Sequence, residues 1–290
     1  MIIVITGPTA LGKTKSAIKV AQTFNAEIIN GDAFQVYKEL NIGTAKPSKE
    51  ELSLVPHHLY SFVEPTHNYS IAEYQTNLRT KIHELLDKNK NIVIVGGSGL
   101  YIRSALFDYE FSPNKEVDMT KFETMCNEEL HQHLEDIDPD QAKIIHANNR
   151  KRVLRAIEIF YSTGETKSSI IEKQQHKLIY DARFFVRDLS REELYERINK
   201  RVDEMFNRGL VDEVKGLVSK YDSKLNCFKA IGYKEIIDCL NRNGDLNDAK
   251  ELIKQHTRNY AKRQMTFIRH QFNVSFYKDD EDLIKEIKNV

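Results

Sequence analysis

The sequence predicts an α/β fold, in which a P-loop lies on a parallel sheet core flanked by helices, with a helical insertion domain. Short apolar runs alternate with amphipathic helical patterns, and a glycine-rich motif joins the first run to the first helix. Strand patterns are absent between about 112 and 180, where helical patterns continue without interruption. Ligands of such parallel sheets gather at the carboxyl ends of the strands.

Four runs rich in isoleucine, valine or phenylalanine indicate buried strands. They are residues 2–6, 27–30, 91–95 and 183–186. The helices that accompany them are expected at 13–24, at 71–88, from about 191, and at 248–271. We therefore predict a P-loop catalytic core over 1–111 and 181–290, interrupted by the helical insertion domain over 112–180.

The composition is that of a soluble globular protein, with 40% hydrophobic and 30% charged residues. No apolar run approaches the ~20 residues that span a bilayer, so we expect no membrane association. The three cysteines, Cys126, Cys227 and Cys239, are far apart and form no C-x-x-C pair. This spacing favours reduced thiols in a cytoplasmic protein over a structural zinc site.

The net charge is zero, yet the charges are unevenly distributed. Basic and acidic residues number 11 and 10 over 1–109, 3 and 10 over 110–147, and 29 and 23 over 148–290. Lysine or arginine recurs every fourth residue at Lys250, Lys254, Arg258 and Lys262, which places one basic stripe along a helix. The stripe is either a phosphate-binding surface or a solvated helix face.

The most specific chemical signal is a complete G-x-x-x-x-G-K-[ST] motif between a strand and a helix. It consists of Gly7, Pro8, Thr9, Ala10, Leu11, Gly12, Lys13 and Thr14. Such glycines let backbone N–H groups converge on phosphate oxygens, and the helix N-terminus adds partial positive charge. Lys13 would neutralise the terminal phosphate, and the Thr14 hydroxyl would hold Mg²⁺, the expected cofactor.

Asp32 is the only carboxylate expected to end a strand beside this motif. Typical P-loop nucleoside triphosphatases carry an aspartate after a second strand, but the strand at 91–95 runs into Gly96-Gly97-Ser98-Gly99. This set suits transfer chemistry on a phosphorylated substrate, with Asp32 as the general base. A helix cap and a ligand of a metal-bound water are the alternative roles for Asp32.

Eight stretches, in order along the chain, match one known family. They are residues 7–14, 32–37 (Asp-Ala-Phe-Gln-Val-Tyr), 41–47 (Asn-Ile-Gly-Thr-Ala-Lys-Pro), 56–59 (Pro-His-His-Leu), 95–101 (Val-Gly-Gly-Ser-Gly-Leu-Tyr), 149–158 (Asn-Arg-Lys-Arg-Val-Leu-Arg-Ala-Ile-Glu), 229–235 (Lys-Ala-Ile-Gly-Tyr-Lys-Glu) and 260–264 (Tyr-Ala-Lys-Arg-Gln). On these motifs the sequence resembles the tRNA dimethylallyltransferases, or isopentenyltransferases, over nearly its whole length.

The resemblance implies transfer of a dimethylallyl group from dimethylallyl diphosphate to N6 of adenine 37 in tRNA. It implies catalytic roles for the base Asp32, the diphosphate contacts Lys13 and Thr9, Ser98 beside the adenine, and Arg201 as a second cation. It implies contacts with the anticodon stem-loop, including contacts by the insertion domain, at Asp32, Ala33, Phe34, Gln35, Ser98, Lys151, Arg152, Val153, Leu154, Arg155, Lys229, Ala230, Ile231, Gly232, Tyr233 and Lys234. We expect a monomer.

Three departures from the family pattern are visible. Ser98 stands for the usual threonine and keeps the hydroxyl, Ala33-Phe34 replaces Ser-Met or a similar pair, and Thr266-Phe267 replaces Thr-Trp. The alternatives are a small-molecule kinase that uses ATP, a dimethylallyltransferase acting on free adenine nucleotides, and a non-catalytic P-loop scaffold that binds RNA. A kinase leaves the basic segments and the insertion without a function.

Overall fold

A parallel β-sheet organises the chain in the computed structural model, which describes residues 1–111 and 117–289. Its strands are β1 (Ile2–Thr6), β2 (Ala26–Asn30), β3 (His57–His58), β4 (Asn91–Gly96), β5 (Ala182–Arg187) and β6 (Val274–Tyr277). They lie in the order β3-β2-β4-β1-β5-β6, and every pair is parallel. The predicted α/β fold with a parallel sheet and flanking helices is confirmed.

The helices follow the predicted alternation with the strands. They are α1 (Lys13–Thr23), α2 (Lys49–Leu54), α3 (Ile71–Asp87), α4 (Gly99–Leu106), α5 (Thr120–Glu123), α6 (Asn127–Ile137), α7 (Pro139–Ile144), α8 (Arg150–Thr163), α9 (Lys167–Lys173), α10 (Arg191–Asn207), α11 (Leu210–Val218), a 3₁₀ helix (Asn226–Lys229), α12 (Tyr233–Asn241), α13 (Leu246–Gln271) and α14 (Asp280–Lys288). Within the described part of the chain, none of them is long and apolar enough to cross a membrane.

Two edge strands were not predicted. β3 has only two residues, and Ile28 of β2 pairs with His57. β6 has four residues, with two exposed side chains, and Val274 pairs with Phe184 of β5. Neither strand carries the apolar run that identifies a strand buried on both faces, so the sequence pattern gave no signal.

The chain divides into two compact units. The first comprises Met1–Leu106 and Tyr180–Val290, and the second comprises Phe107–Ile179. The second unit is helical wherever it forms regular structure, and its core consists of Phe122, Leu130, Leu134, Ala142, Ile145, Val153, Ala156 and Ile157. The predicted start of the insertion domain at residue 112 falls within 112–116, which lie outside the described residues.

One hydrophobic cluster of the first unit lies between the sheet and the helices α1 and α14. Ile3 and Ile5 of β1, Val93 and Val95 of β4, and Phe185 of β5 share this face of the sheet. Small residues of α1, such as Ala17 and Ala21, pack against it because they let the helix approach closely. This packing fixes the start of α1 at the carboxyl end of β1, which is where the candidate site lies.

Candidate active site

The carboxyl ends of β2, β4 and β1 lie side by side, as their adjacency in the sheet requires. A Cβ atom added to Gly96 would lie 2.1 Å from the backbone carbonyl of Gly31, so only glycine fits at this approach. The Gly31 N–H donates to the Val95 carbonyl at 2.7 Å, and the Ser98 N–H donates to the Gly31 carbonyl at 3.2 Å. The turns after β2 and β4 are thereby held together beside the glycine-rich loop (residues 7–14).

The glycine-rich loop has the tight backbone that its glycines predict. Gly7 and Gly12 have φ angles of +141° and +77°, in the region that favours glycine, and Ala10 also has a positive φ, of +65°. The Lys13 Nζ donates to the Pro8 carbonyl at 2.6 Å, so the ammonium group lies against its own loop. Thr14 follows in the first turn of α1 and is partly exposed.

Gln264 of α13 is buried and bridges two of these turns by hydrogen bonds, a role that was not predicted from the sequence. Its Oε1 accepts the Thr9 N–H at 3.3 Å, and its Nε2 donates to the Gly97 carbonyl at 2.7 Å. The side chain is only 7% exposed, so both contacts are shielded from water. The signal available in the sequence was its place in the 260–264 motif. In the structure, Gln264 is the one polar side chain of that motif that is buried.

Asp32 is held in a defined orientation by backbone contacts. Its N–H donates to the Asn30 side chain at 2.9 Å, and its Oδ1 accepts the Phe34 N–H at 2.9 Å. Among the described residues, no hydrogen bond reaches its Oδ2. One carboxylate oxygen is therefore anchored, and the other is able to accept a proton from a ligand.

Asp32, Lys13 and Arg201 form one electrostatic group. Burial and, to a smaller extent, the positive charge of Arg201 lower the pKa of Lys13 to about 7, and the negative charge of Asp32 opposes both effects. Burial also lowers the pKa of Arg201, again opposed by Asp32. The sequence placed Asp32 and Lys13 at one edge, and α10 brings in Arg201, the second cation that the resemblance implied.

This charge group leads to a prediction about pH. A lysine with a pKa near 7 loses its charge as the pH rises above 7, and a neutral amine stabilises a diphosphate poorly. We expect kcat/KM for a diphosphate substrate, which reports the pKa values of the free enzyme, to fall as the pH rises from 7 to 9. The matched variant Lys13→Arg keeps its charge throughout, so its weaker activity should show no such fall. An equal decline in both proteins would contradict the assignment to Lys13.

Four tyrosines surround Asp32. Burial, with a smaller contribution from the Asp32 charge, raises the pKa of Tyr101 and of Tyr260 to about 12, and raises the pKa of Tyr60 and Tyr74 as well. Their hydroxyls therefore stay protonated near neutral pH. This aromatic wall was not predicted, since its members come from four separate segments.

Ser98 connects this wall to the turn that carries Asp32. Its Oγ accepts the Ala33 N–H at 2.9 Å, and its side chain also bonds to Tyr260. Ser98 is 8% exposed, so these bonds are largely shielded from water. The hydroxyl that Ser98 shares with the family's threonine thus has a definite task, which is to fix the backbone next to Asp32.

The residues present suit a hard cation such as Mg²⁺, for which the phosphate groups of a bound substrate would supply most of the coordinating oxygens. Mg²⁺ usually keeps several waters and takes one or two protein oxygens in such sites. The Thr14 hydroxyl offers one oxygen at the start of α1, beside the loop. The described residues contain no group of three His, Cys, Asp or Glu side chains that would hold a metal by themselves.

Two segments expected to contact tRNA lie in the first unit. Gln35 donates to the Thr44 and Ala45 carbonyls at 3.0 and 3.2 Å, so its amide group holds a neighbouring loop. In the 229–234 segment, Ala230, Gly232 and Tyr233 are buried, Ile231 is partly buried, and the lysines at the two ends are exposed. Lys229 and Lys234 are therefore the two side chains of this segment best able to reach a phosphate.

Glu213 of α11 anchors the loop that begins at Asn41. Its carboxylate accepts the N–H groups of Asn41, Ile42 and Gly43 at 2.8 to 3.1 Å and the Tyr233 hydroxyl at 2.6 Å. A Cβ on Gly43 would lie 2.4 Å from the Tyr233 ring, so the loop and the ring are in close contact.

Replacing Glu213 with alanine should therefore destabilise the protein. Removal of the carboxylate leaves several donors without an acceptor, and we expect a loss of about 3 kcal/mol in the free energy of unfolding. Urea unfolding measures this loss, with Asp212→Ala as the matched control, because Asp212 is exposed on the same helix. Equal stability of the two variants would show that this anchor contributes nothing measurable.

The third segment expected to contact tRNA lies in the second unit, on α8. Val153 belongs to the core of that unit, and Leu154 packs against it. Lys151, Arg152 and Arg155 are exposed, and Arg155 pairs with Glu158 at 2.8 Å. Three of the five side chains are thus available to a polyanion.

The basic stripe on α13 is partly engaged by α10. Lys250 and Lys254 pair with Asp203 at 2.8 and 2.9 Å, and Arg258 donates to Asn199 at 2.6 Å. Lys262 is exposed. Three of the four charges therefore help to pair two helices, which leaves less of the stripe for phosphate binding than the spacing alone indicated.

Comparison with known proteins gives consistent matches. The family model for IPP transferase matches residues 35–271. The chain is 44% identical to the tRNA dimethylallyltransferase of Bacillus licheniformis over 282 residues, covering 95% of this chain and 90% of that protein. It is 43% identical to the one from Anoxybacillus flavithermus, covering 98% and 92%.

Two solved structures are also similar. One is a tRNA isopentenylpyrophosphate transferase from Staphylococcus epidermidis, with a TM-score of 0.74, 40% identity, and 99% of this chain and 97% of that chain covered. The other is a eukaryotic dimethylallyltransferase acting on tRNA, with a TM-score of 0.86, 29% identity, and 99% and 77% covered.

Proposed function

The chain belongs to the IPP transferase family of tRNA dimethylallyltransferases, and we propose that it transfers a dimethylallyl group from dimethylallyl diphosphate to N6 of adenine 37 in the anticodon stem-loop of tRNA. One structural observation supports the proposal independently of family membership. Asp32, with a free carboxylate oxygen, shares one sheet edge and one charge group with Lys13 and Arg201. A base and two cations beside a glycine-rich loop suit alkyl transfer from a diphosphate.

The chemistry needs a base because an exocyclic adenine amine is a poor nucleophile. The N6 lone pair forms a bond to C1 of the dimethylallyl group, the C1–O bond breaks, and diphosphate leaves with the bonding electrons. The N6 proton passes to the Oδ2 of Asp32, whose other oxygen stays on the Phe34 N–H. The adenine must leave its stack to reach this edge, as in other enzymes that act on a base.

The leaving group needs stabilisation where its negative charge develops. Lys13 and Arg201 carry positive charges that interact with Asp32, and N–H groups of the glycine-rich loop add donors. Mg²⁺, which Thr14 would help to hold, would neutralise part of the diphosphate charge when bound. The aromatic wall, which includes Tyr60, Tyr101 and Tyr260, would exclude water from the allylic carbon.

The direct test is a transfer assay. The protein is incubated with dimethylallyl diphosphate, Mg²⁺ and an RNA anticodon stem-loop, and the RNA is digested and analysed by mass spectrometry. A dimethylallyl mass gain on the adenine 3′ to the anticodon is expected, and a stem-loop with guanine at that position serves as the control. Absence of any gain with excess enzyme would reject the proposal.

The same assay separates the other functions considered. Addition of AMP as a competing acceptor shows whether a free adenine nucleotide is modified, and ATP in place of dimethylallyl diphosphate tests for phosphoryl transfer to a small molecule. RNA binding without transfer to the stem-loop, transfer to AMP or phosphoryl transfer from ATP would identify a non-catalytic scaffold. Only the stem-loop reaction agrees with the proposed function.

A further inference from the structure

Arg187, the last residue of β5, presents a cation to the glycine-rich loop. Thr6 of β1 pairs with Val186, so Arg187 lies next to the first residue of the loop. A Cβ atom added to Gly12 would lie 3.5 Å from the Arg187 Nη1, and apart from its neighbours along the chain no other atom of the described residues would be within 4 Å of it. The guanidinium group therefore flanks the end of the loop, where α1 begins.

The guanidinium group lacks a hydrogen-bond partner at its buried nitrogen. Its Nε is buried without a hydrogen bond, and within the described part of the chain Arg187 makes no hydrogen bond or ion pair through its side chain. Asp279 lies close enough for the charge of Arg187 to lower the pKa of its carboxyl, but it forms no ion pair with Arg187 within the described residues, and its Oδ1 accepts the Glu281 and Asp282 N–H groups at 3.0 and 2.9 Å. Asp280 accepts the Ser16 hydroxyl at 2.6 Å. An arginine left in this condition is costly unless an anion completes it.

The position of Arg187 along the sheet edge decides which anionic group it would meet. The strands run in the order β2, β4, β1, β5, so Asp32 and Arg187 follow strands three spacings apart, roughly 14 Å. The reacting carbon must lie on the Asp32 side of the loop, where Lys13 and Arg201 also act on Asp32. Of the two phosphates, the one farther from the carbon would then face β5.

We propose that Arg187 binds the terminal phosphate of the diphosphate substrate, while Lys13 and Arg201 serve the phosphate attached to carbon. The proposal rests on the proposed function for the identity of the organic group, but not for the recognition of a diphosphate. It differs from the motif-based expectation that Lys13 neutralises the terminal phosphate. Arginine suits this task because its fork of donors matches phosphate oxygens.

A pair of ligands that differ only in the terminal phosphate provides the test. Calorimetry in the presence of Mg²⁺ compares dimethylallyl diphosphate with dimethylallyl monophosphate, and inorganic pyrophosphate is titrated alongside. In Arg187→Gln we expect both diphosphates to bind roughly 10- to 100-fold more weakly, because a charge-assisted contact is lost. The monophosphate should change less than about threefold.

Two further variants control the experiment. Arg191→Gln removes an exposed charge on α10, whose Nε donates to the Tyr195 hydroxyl at 3.1 Å, and should leave all three affinities unchanged. Arg187→Lys keeps the charge but not the fork, and should recover part of the diphosphate affinity. Its melting temperature and that of Arg187→Gln establish whether each variant is folded, and if only the lysine variant folds, its loss of diphosphate affinity relative to the monophosphate is the readout.

The inference is overturned if folded Arg187 variants bind pyrophosphate within twofold of the unmodified protein, or if monophosphate and diphosphates weaken equally. Pyrophosphate binding requires no RNA and no transfer. If the unmodified protein fails to modify RNA while Arg187→Gln still loses pyrophosphate affinity, the proposed function fails and the role of Arg187 stands. If instead the unmodified protein modifies RNA normally and Arg187→Gln keeps its pyrophosphate affinity, the proposed function stands and the role of Arg187 fails.

Discussion

Asp32→Asn should lower the single-turnover rate of transfer by about 10²- to 10⁴-fold, the usual cost of losing a general base. The substitution preserves size and leaves an oxygen to accept the Phe34 N–H, so the turn after β2 should stay intact. Affinity for the stem-loop should persist, because phosphate contacts elsewhere dominate RNA binding. The measurements are single-turnover transfer, RNA affinity and melting temperature on one preparation.

The charge of Asp32 also affects Lys13, and the experiment must separate this effect from the loss of the general base. It opposes the fall in the pKa of Lys13, so its removal lowers that pKa further and weakens diphosphate binding near neutral pH. Assays at about pH 6 with saturating diphosphate keep Lys13 protonated and isolate the loss of the base. A rate within a few-fold of the unmodified protein under these conditions would exclude Asp32 as the base. Recovery at high Mg²⁺ would instead indicate a role at a metal-bound water.

Arg201→Ala is the second large expected effect. Loss of one donor that stabilises developing negative charge typically costs about 10²- to 10³-fold in kcat. The matched control is Arg197→Ala, one turn earlier on α10, where the arginine pairs with Glu193 at 2.8 Å and is 38% exposed. We expect the control to change transfer less than about twofold.

A pH profile distinguishes catalysis from mere packing for Arg201. Because Arg201 lowers the pKa of Lys13, its removal should raise that pKa, and the decline of kcat/KM should move to higher pH. A packing defect would lower activity without moving the profile. Identical profiles in Arg201→Ala and the unmodified protein would therefore place Arg201 outside the charge group.

The sequence was sufficient to predict the main sheet and the residues that lie directly at strand ends. Asp32, Ser98 and the glycine-rich loop follow β2, β4 and β1, and parallel strands bring such positions to one edge. The predicted strands at 2–6, 27–30, 91–95 and 183–186 are confirmed because each is a buried apolar run.

The remaining features depend on contacts between distant segments, which periodicity does not reveal. Gln264 reaches the glycine-rich loop from α13, more than 250 positions away. Glu213 meets the backbone of Asn41 to Gly43 through a carboxylate that resembles any other on a helix surface. For Lys254 the sequence pattern suggested a surface that the structure uses otherwise. The regular spacing of basic residues does not reveal that α10 lies alongside and supplies Asp203 as a partner.

The position of β1 between β4 and β5 has a consequence for synthesis of the protein on the ribosome. β1 emerges first, yet its partner β5 begins at Ala182 and Gln264 follows much later. At ~5–20 residues per second, the glycine-rich loop waits roughly 10 to 50 s for its last contact. For roughly the first 9 to 35 s of that time, until β5 emerges, one edge of β1 has no β5 to pair with. An unpaired edge is open to wrong partners. A nascent chain halted before Ala182 should therefore lack a protected β1, and pulse-labelling hydrogen exchange would detect its amides.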